Sequence, residues 1–596
     1  MKLININAAE LRTMRYMFNN TLVFKKVIIK DLNIPNCLSM EKMFISSLFE
    51  EVIFENINAE NLQIMKEMFI DSSILEIYFT NFSAPNLQST ERMFYRNNKL
   101  KFLKLDGVIQ NIKISKLVTM KEMFSYCGYY FVSNFTLENI EFLELTNMER
   151  MFENSYFSNF IFQNLYFYKS VSMNDMFLNS QKLYYISFQN INLSKNLILN
   201  KIFNDISTSL YVNFENIDAS EAIKIENMCN NTYIREIHFK NIKISKISSI
   251  MGLFYDCMAL TNLYFENIDA SQITKIESIF NLPSNLRNIS FININISKTT
   301  KMNGLFKYLK NLENIVFKNI TSDSLVDASE MFFDSSFKFL DLSGLDTSKI
   351  KIMESMFNYC RGEFLNLSYL DTSSVTNMNK MFSCCNFKSL DISNFKTENV
   401  ETMDYMFQNC YKLQLLNLSS FHTPKLISIK TMLQGCSSVK NINLGSFDYS
   451  LITNINELFS GCYNLESVDL SNIESDKIET MDKMFYECKS LKYLDLSKFN
   501  TKKVTNFNQL FYNCYNLESI KINNFNTSKA YGNAFEKMFY NCSKLKSIDL
   551  SRFETSLITS MNQMFYNCNN FEELNLKSFN TSSVVDMKQM FSGCGK

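Results

Sequence analysis

Lys-Thr-Glu-Asn-Val-Glu-Thr-Met-Asp-Tyr-Met-Phe-Gln-Asn-Cys-Tyr-Lys-Leu-Gln-Leu-Leu-Asn-Leu-Ser-Ser-Phe, residues 396–421, carries two hydrophobic rhythms in succession. Val400, Met403, Met406, Phe407 and Cys410 are spaced as one face of a short helix. Leu413, Leu416, Leu418 and Phe421 then change to alternation, the spacing of a short strand. About 26 residues later the same succession returns. The expectation is an α/β solenoid whose unit is one short parallel strand plus one short helix.

Working outward, the landmark Met-x-x-Met-Phe, or a close variant, ends at 23 positions from Phe18 to Phe591, most of them 25 or 26 residues apart. Larger spacings of 30 before Phe124 and 28 before Phe152 and Phe539 predict small insertions. Five residues before many landmarks stands a small polar residue, for example Thr13, Ser39, Thr119, Thr402 and Ser428. Such residues accept from unpaired amides and predict the helix start. A single unit buries too little apolar surface to offset the entropy of ordering it, so each must lean on its neighbours.

Two styles of repeat follow one another. Over residues 1–330 an Asn recurs just past the strand, as at Asn56, Asn81, Asn139, Asn164, Asn190, Asn216, Asn241, Asn267, Asn293 and Asn319. One such Asn per coil predicts an internal ladder from side chain to neighbouring backbone. Over 331–596 a Cys recurs three residues past the landmark, from Cys360 to Cys594. Stacked cysteines would lie within disulfide reach, yet a small, weakly polar residue suited to a tight turn is the expected reading. The expectation is a solenoid continued through both styles.

The 596 residues hold 60 basic and 60 acidic side chains, which leaves no field to attract nucleic acid or anionic lipid. No apolar run is long enough to cross a membrane as a helix, so membrane insertion is not expected. Four prolines and twelve glycines argue against long flexible linkers. The chain starts without the apolar stretch of a signal peptide. It stops one repeat after Cys568, so its ends are expected to be those of a fragment or to be protected in another way.

Chemistry-bearing groups are sparse. His238 and His422, the two histidines, lie seven units apart, so no base–nucleophile pair is expected. No Gly-rich phosphate loop or Cys-x-x-Cys occurs, and neither zinc nor any cofactor is expected. A calcium strip along the Asp column is countered by the intervening Asn residues and Lys521. An enzyme is therefore not expected. Candidate partner-binding residues are the outward strand positions Tyr78, His238, Tyr264, Asp341, Asp391, Asp469, Asp495 and Asp549. For each of them a plain solvated side chain is the competing reading.

At Val375-Thr376-Asn377-Met378-Asn379-Lys380-Met381-Phe382 and Leu494-Asp495-Leu496-Ser497-Lys498-Phe499-Asn500-Thr501 the chain resembles the BspA-like leucine-rich-repeat family of microbial surface lipoproteins. The match is close over 325–596 and looser over 1–325, where Phe-x-Asn-Ile replaces Leu-Asp-Leu-Ser. The resemblance implies a leucine-rich-repeat solenoid, displayed on the cell surface or secreted, that adheres to a protein or glycan through its extended face. The absence of a signal peptide, lipobox or anchor in this sequence makes an intracellular scaffold or interaction module the alternative.

Overall fold

The landmark segment does not form a helix. In the computed structural model the amides of Met403, Tyr405, Phe407 and Asn409 leave their own coil. They donate to the carbonyls of Ser428, Lys430, Met432 and Gln434 in the next coil, at 2.6–3.3 Å. The amides between them, on Met406, Gln408 and Cys410, turn back three residues at 3.1–3.2 Å. Tyr405 and Asn409 have φ of 60° and 57°, in the left-handed region. The segment is thus a run of tight turns that hydrogen-bonds sideways as a strand does.

The structure describes residues 1–595 apart from 107, 109–112, 130–133, 194–196, 199–200, 223–227, 278, 281–284, 363–364, 471–472 and 474–475, and apart from the side chains of 113–114, 197–198 and 229–230. Among the described residues no helix occurs. This overturns the expected α/β architecture with a helix in every unit. The fold is a parallel β-solenoid of about 19 turns. That is fewer than the 23 landmarks: among the described residues no strand follows Phe357, Phe539, Phe565 or Phe591 before the next landmark or the chain's last residue. The insertions expected before Phe124 and Phe152 fall around 107–112 and 130–133, largely outside the described residues.

The physical reason lies in what the i, i+3, i+4 spacing leaves open. A chain that reverses every two residues buries the same positions as a helix does. A left-handed residue costs roughly 1–2 kcal/mol without a special side chain. Asn, Asp and Gly tolerate it best, and they dominate the position two past the landmark, as in Asn20, Asp71, Asn154, Asn179, Asn409, Gly435, Gly461 and Asn541. At Gly435, with φ of 73°, an added Cβ would also collide with the Asn409 side chain. The polar residue five before the landmark is not a helix cap either. Thr402 forms a parallel bridge with Ser428. In the same column Thr13 and Ser39 accept the amides of Arg15 and Glu41, two residues on, at 3.2 Å.

The chain divides into two compact units, Met1–Thr299 with Val316–Ser322, and Thr300–Ile315 with Asp323–Lys596. In the first unit the coils carry strands of up to ten residues, such as Glu51–Asn58 and Ile234–Lys243. Their in-register pairing puts like on like, for example Val52 on Ile77, Phe54 on Phe79 and Ile57 on Phe82. Between the last two sits Asn56, exposed and left-handed at φ 55°. It breaks the alternation, so Phe54 and Ile57 both reach the core, and this is what Phe-x-Asn-Ile encodes. The Asn column is not an internal ladder to backbone. Its rungs are side chain to side chain and face solvent: Asn216 Nδ2 donates to Asn190 Oδ1 at 2.8 Å and Asn241 Nδ2 to Asn216 Oδ1 at 2.7 Å.

The core of both units is a set of one-residue columns. Landmark rings stack at 4.8 Å for Phe18 on Phe44 and 5.6 Å for Phe382 on Phe407. A second phenylalanine column, Phe188, Phe214, Phe239 and Phe265, stacks at 5.1–5.3 Å in the first unit. In the second unit the strands shrink to two or three residues, as at Leu415–Leu416 and Tyr493–Asp495.

The cysteine column of the second unit carries free thiols. Each donates to the landmark carbonyl of the preceding coil, for example Cys410 Sγ to Phe382 O at 3.0 Å and Cys462 Sγ to Leu433 O at 3.2 Å. Ser47, Ser180 and Ser335 do the same from the same position with a hydroxyl. The position therefore calls for a small donor. Burial pushes the thiol of Cys462 up to about 12. At the same position of a first-unit coil, three residues past Phe254, Cys257 is disulfide-bonded.

Candidate functional site

Alternation sends every second strand residue away from the core, and in-register pairing sorts those residues into ladders. In the first unit one outward ladder reads Tyr185, Tyr211, Glu236, Asn262, and the next reads Ser187, Asn213, His238, Tyr264. A register shift between Leu210 and Tyr211 brings Tyr211 opposite Glu236. The two ladders form a polar and aromatic cluster, continued by Asn159 and Ile161 on one side and Asn288 and Ser290 on the other.

His238 Nε2 lies 2.6 Å from Glu236 Oε1. An ionised carboxylate only accepts, so Nε2 carries the proton and donates it. Asn262 Nδ2 donates to the other oxygen, Glu236 Oε2, at 2.9 Å. The His238 ring packs on Tyr264 with centroids 4.4 Å apart, and burial raises the Tyr264 phenol above its ordinary value, with the Glu236 charge adding to the effect. Asn213 Nδ2 donates to Ser187 Oγ at 3.2 Å. Tyr184 and Tyr211 meet at 5.3 Å between ring centres. Tyr184, Tyr185, Tyr211, Val212, Asn213, Glu236 and His238 line a groove of about 310 Å³.

Two of the sequence-derived candidates, His238 and Tyr264, thus fall together. Tyr78 stands in another coil, where its hydroxyl donates to Glu76 Oε2 at 2.8 Å and its ring lies 5.1 Å from Phe102. Burial, with the Glu76 carboxylate beside it, pushes the Tyr78 phenol up to about 12. The Asp column of the second unit is engaged in turn formation. Asp341, Asp391, Asp495 and Asp549 accept the amide two residues on, from Ser343, Ser393, Ser497 and Ser551, at 2.9–3.1 Å. These are Asx turns, the local reason for an Asp or Asn there. Ser497 and then Lys521 hold Asp495 down to about 2. Asp469 accepts the Leu444 amide with its backbone carbonyl at 3.0 Å. Among the described residues no cluster of three or more potential ligands could hold a metal ion.

Glu236, Asn213 and the tyrosines at 184, 185 and 211 escaped the sequence reading. For all but Tyr184, which precedes its strand, the signal is parity: written in register, they occupy the outward positions of neighbouring coils. A further column went unnoticed in the second unit, where Tyr486, Tyr512, Tyr540 and Tyr566 stack at 4.6–4.7 Å one residue past the landmark.

Chemically, the first-unit cluster is equipped to bind. A Glu–His pair is present, and among the described contacts no hydroxyl or thiol hydrogen-bonds to His238.

No curated protein matches the chain. Among solved structures it is similar to one titled "Crystal structure of TLR13-ssRNA13 complex", at 14% identity over 90% of this chain and 86% of that chain. The TM-score of 0.17 is too low to carry an argument. Six successive stretches, residues 2–103, 86–191, 199–338, 326–442, 427–547 and 533–596, match the family described as "Mycoplasma protein of unknown function, DUF285". These matches run through nearly the whole sequence, and the chain belongs to that family as a tandem array of its repeat.

Proposed function

We propose that this chain is a non-catalytic interaction protein that engages a protein partner through the outward strand face of its first unit. The observation that carries the proposal is the groove at Tyr184–His238, where aromatic rings and hydrogen-bonding groups gather on a face that packing does not require to hold them. Solenoids commonly act through such repeated faces. The resemblance of the second-unit motif to surface lipoprotein repeats supports adhesion at the cell surface as the setting. The free thiols of the cysteine column support a second setting, the chain as an intracellular interaction module, whereas the disulfide at Cys257 supports the oxidising exterior.

A photo-crosslinking residue placed at Tyr211 in living cells tests the proposal, with the same residue at Tyr512 as the control. Adducts from position 211 and none from position 512 are expected. Adducts confined to position 512, or none from either, would overturn it. Protease added to intact and to lysed cells separates the two settings: digestion of the chain on intact cells places it outside.

A further inference from the structure

We infer that the groove beside Glu236 takes a cationic side chain, an arginine or lysine presented by the protein partner; this rests on the strand-face reading above. The first observation is a carboxylate without a lysine or arginine partner. Along the first unit several acidic side chains are met by a lysine of an adjacent coil: Lys26 with Glu51, Lys30 with Glu55 at 2.8 Å, Lys66 with Glu91 at 3.0 Å, Lys246 with Glu221 at 2.6 Å. Glu236 is not among them. Its register neighbours are Tyr211 and Asn262, both neutral, and no lysine or arginine is among the described residues that line the groove. Its side-chain partners are His238 and Asn262, and the imidazole is a counter-charge only when both its nitrogens are protonated.

The second observation is the composition around that charge. Rings of Tyr184, Tyr185 and Tyr211 line the same groove. Aromatic faces attract cations through their quadrupole, more so beside a carboxylate. The protein uses this pairing internally, with Lys489 Nζ 4.3 Å from the Tyr463 ring centre and Lys182 Nζ 4.7 Å from that of Tyr129. At the groove the rings and the anion are present with no lysine or arginine among the described lining residues.

The third observation concerns hydrogen bonding. Asn213 gives its amide to Ser187, and its side-chain oxygen accepts from no described donor. The Glu236 carboxylate and the Asn213 side-chain oxygen are acceptors at the groove, and guanidinium and ammonium are donor-only side chains that can meet them. A volume near 310 Å³, at the small end for ligand sites, matches one side chain rather than a larger ligand.

The test uses the full chain and N-acetyl-L-arginine amide as the probe, with its neutral norleucine counterpart, followed by saturation-transfer NMR. Transfer from tyrosine rings to the arginine probe is expected, with affinity at least about tenfold above norleucine. Glu236→Gln keeps the shape and should lower that affinity about tenfold or more, with an unchanged circular dichroism spectrum as the check on folding. Glu215→Gln, whose carboxylate is paired with Lys240, should leave it unaltered. Equal binding of the two probes, no binding of the arginine probe, or indifference to Glu236→Gln would each overturn the inference. Failure here together with adducts from position 211 would leave the strand-face proposal standing. Probe binding without such adducts would support the cation site and sink the protein-partner reading.

Discussion

Asn216 offers a direct test of why asparagine recurs in the first unit. It has a left-handed backbone, φ 56°, is exposed, and stands in the middle of the amide ladder, donating to Asn190 and accepting from Asn241. Asn216→Ala removes both hydrogen bonds and forces an ordinary side chain into the left-handed region. The conformational part is about 1 kcal/mol, at the low end of the range for a residue with a Cβ. Each lost bond adds about 0.5 kcal/mol, the low end again because water can replace it. Asn216→Ala should therefore cost about 2 kcal/mol. Asn216→Gly loses the same two bonds and relaxes the backbone strain, at about 0.5 kcal/mol of added unfolded-chain entropy, so it should cost about 1.5 kcal/mol or less. Asn216→Asp keeps the turn and the bond from Asn241 but leaves Asn190 Oδ1 without its donor, for about 0.5 kcal/mol. Native-state hydrogen exchange read by mass spectrometry is the assay, because coils of a solenoid open locally and a global midpoint would dilute the effect. Peptides covering Leu210–Asp218 and its two flanking strands should lose protection in the order Ala, Gly, Asp, and distant coils should not change. If glycine proves as damaging as alanine, the left-handed backbone is not what the asparagine serves.

Three further outcomes are expected. Cys462→Ser should be milder than Cys462→Ala, which should cost about 1 kcal/mol through a small cavity and the loss of one of the two donors to the Leu433 carbonyl, the Cys436 amide remaining; equal losses in urea unfolding would show that the donor is irrelevant. Asp495 has its carboxyl lowered to about 2 in the folded chain, below its unfolded value, so its contribution is present above the unfolded value and is lost as pH falls through the folded one. Asp549 and Asp371 are lowered as well. The second unit should thus weaken between about pH 4 and pH 2, modestly because these groups are solvent-screened, and Asp495→Asn should flatten part of that slope. In a spectrophotometric tyrosine titration Tyr78 should ionise late, near about 12, and Tyr78→Phe should remove one late-titrating phenol; an unchanged curve would refute its burial against Glu76.

Much of the architecture is legible from the chain alone. The period, the buried columns and the exchange of an Asn style for a Cys style all follow from spacing, because identical coils stacked in register repeat their core positions. Met403, Met406, Phe407 and Cys410 are buried as their spacing implies. Their local conformation is another matter. A helix and a run of tight turns bury the same positions, and the difference is where the amides go. A helix satisfies them within one segment, whereas here Phe407 donates to Met432 in the coil that follows. That choice belongs to the stack, since no isolated coil has a neighbour to accept the bond. The Asn and Gly residues two past the landmark were the available hint, as they mark left-handed backbone that a helix interior does not contain. The groove shows the same division. His238 and Tyr264 are visible as outward residues, but only inter-strand register, including the shift at Leu210 and Tyr211, sets Tyr211 and Asn262 on either side of Glu236, where Glu51 and Glu55 each meet a lysine.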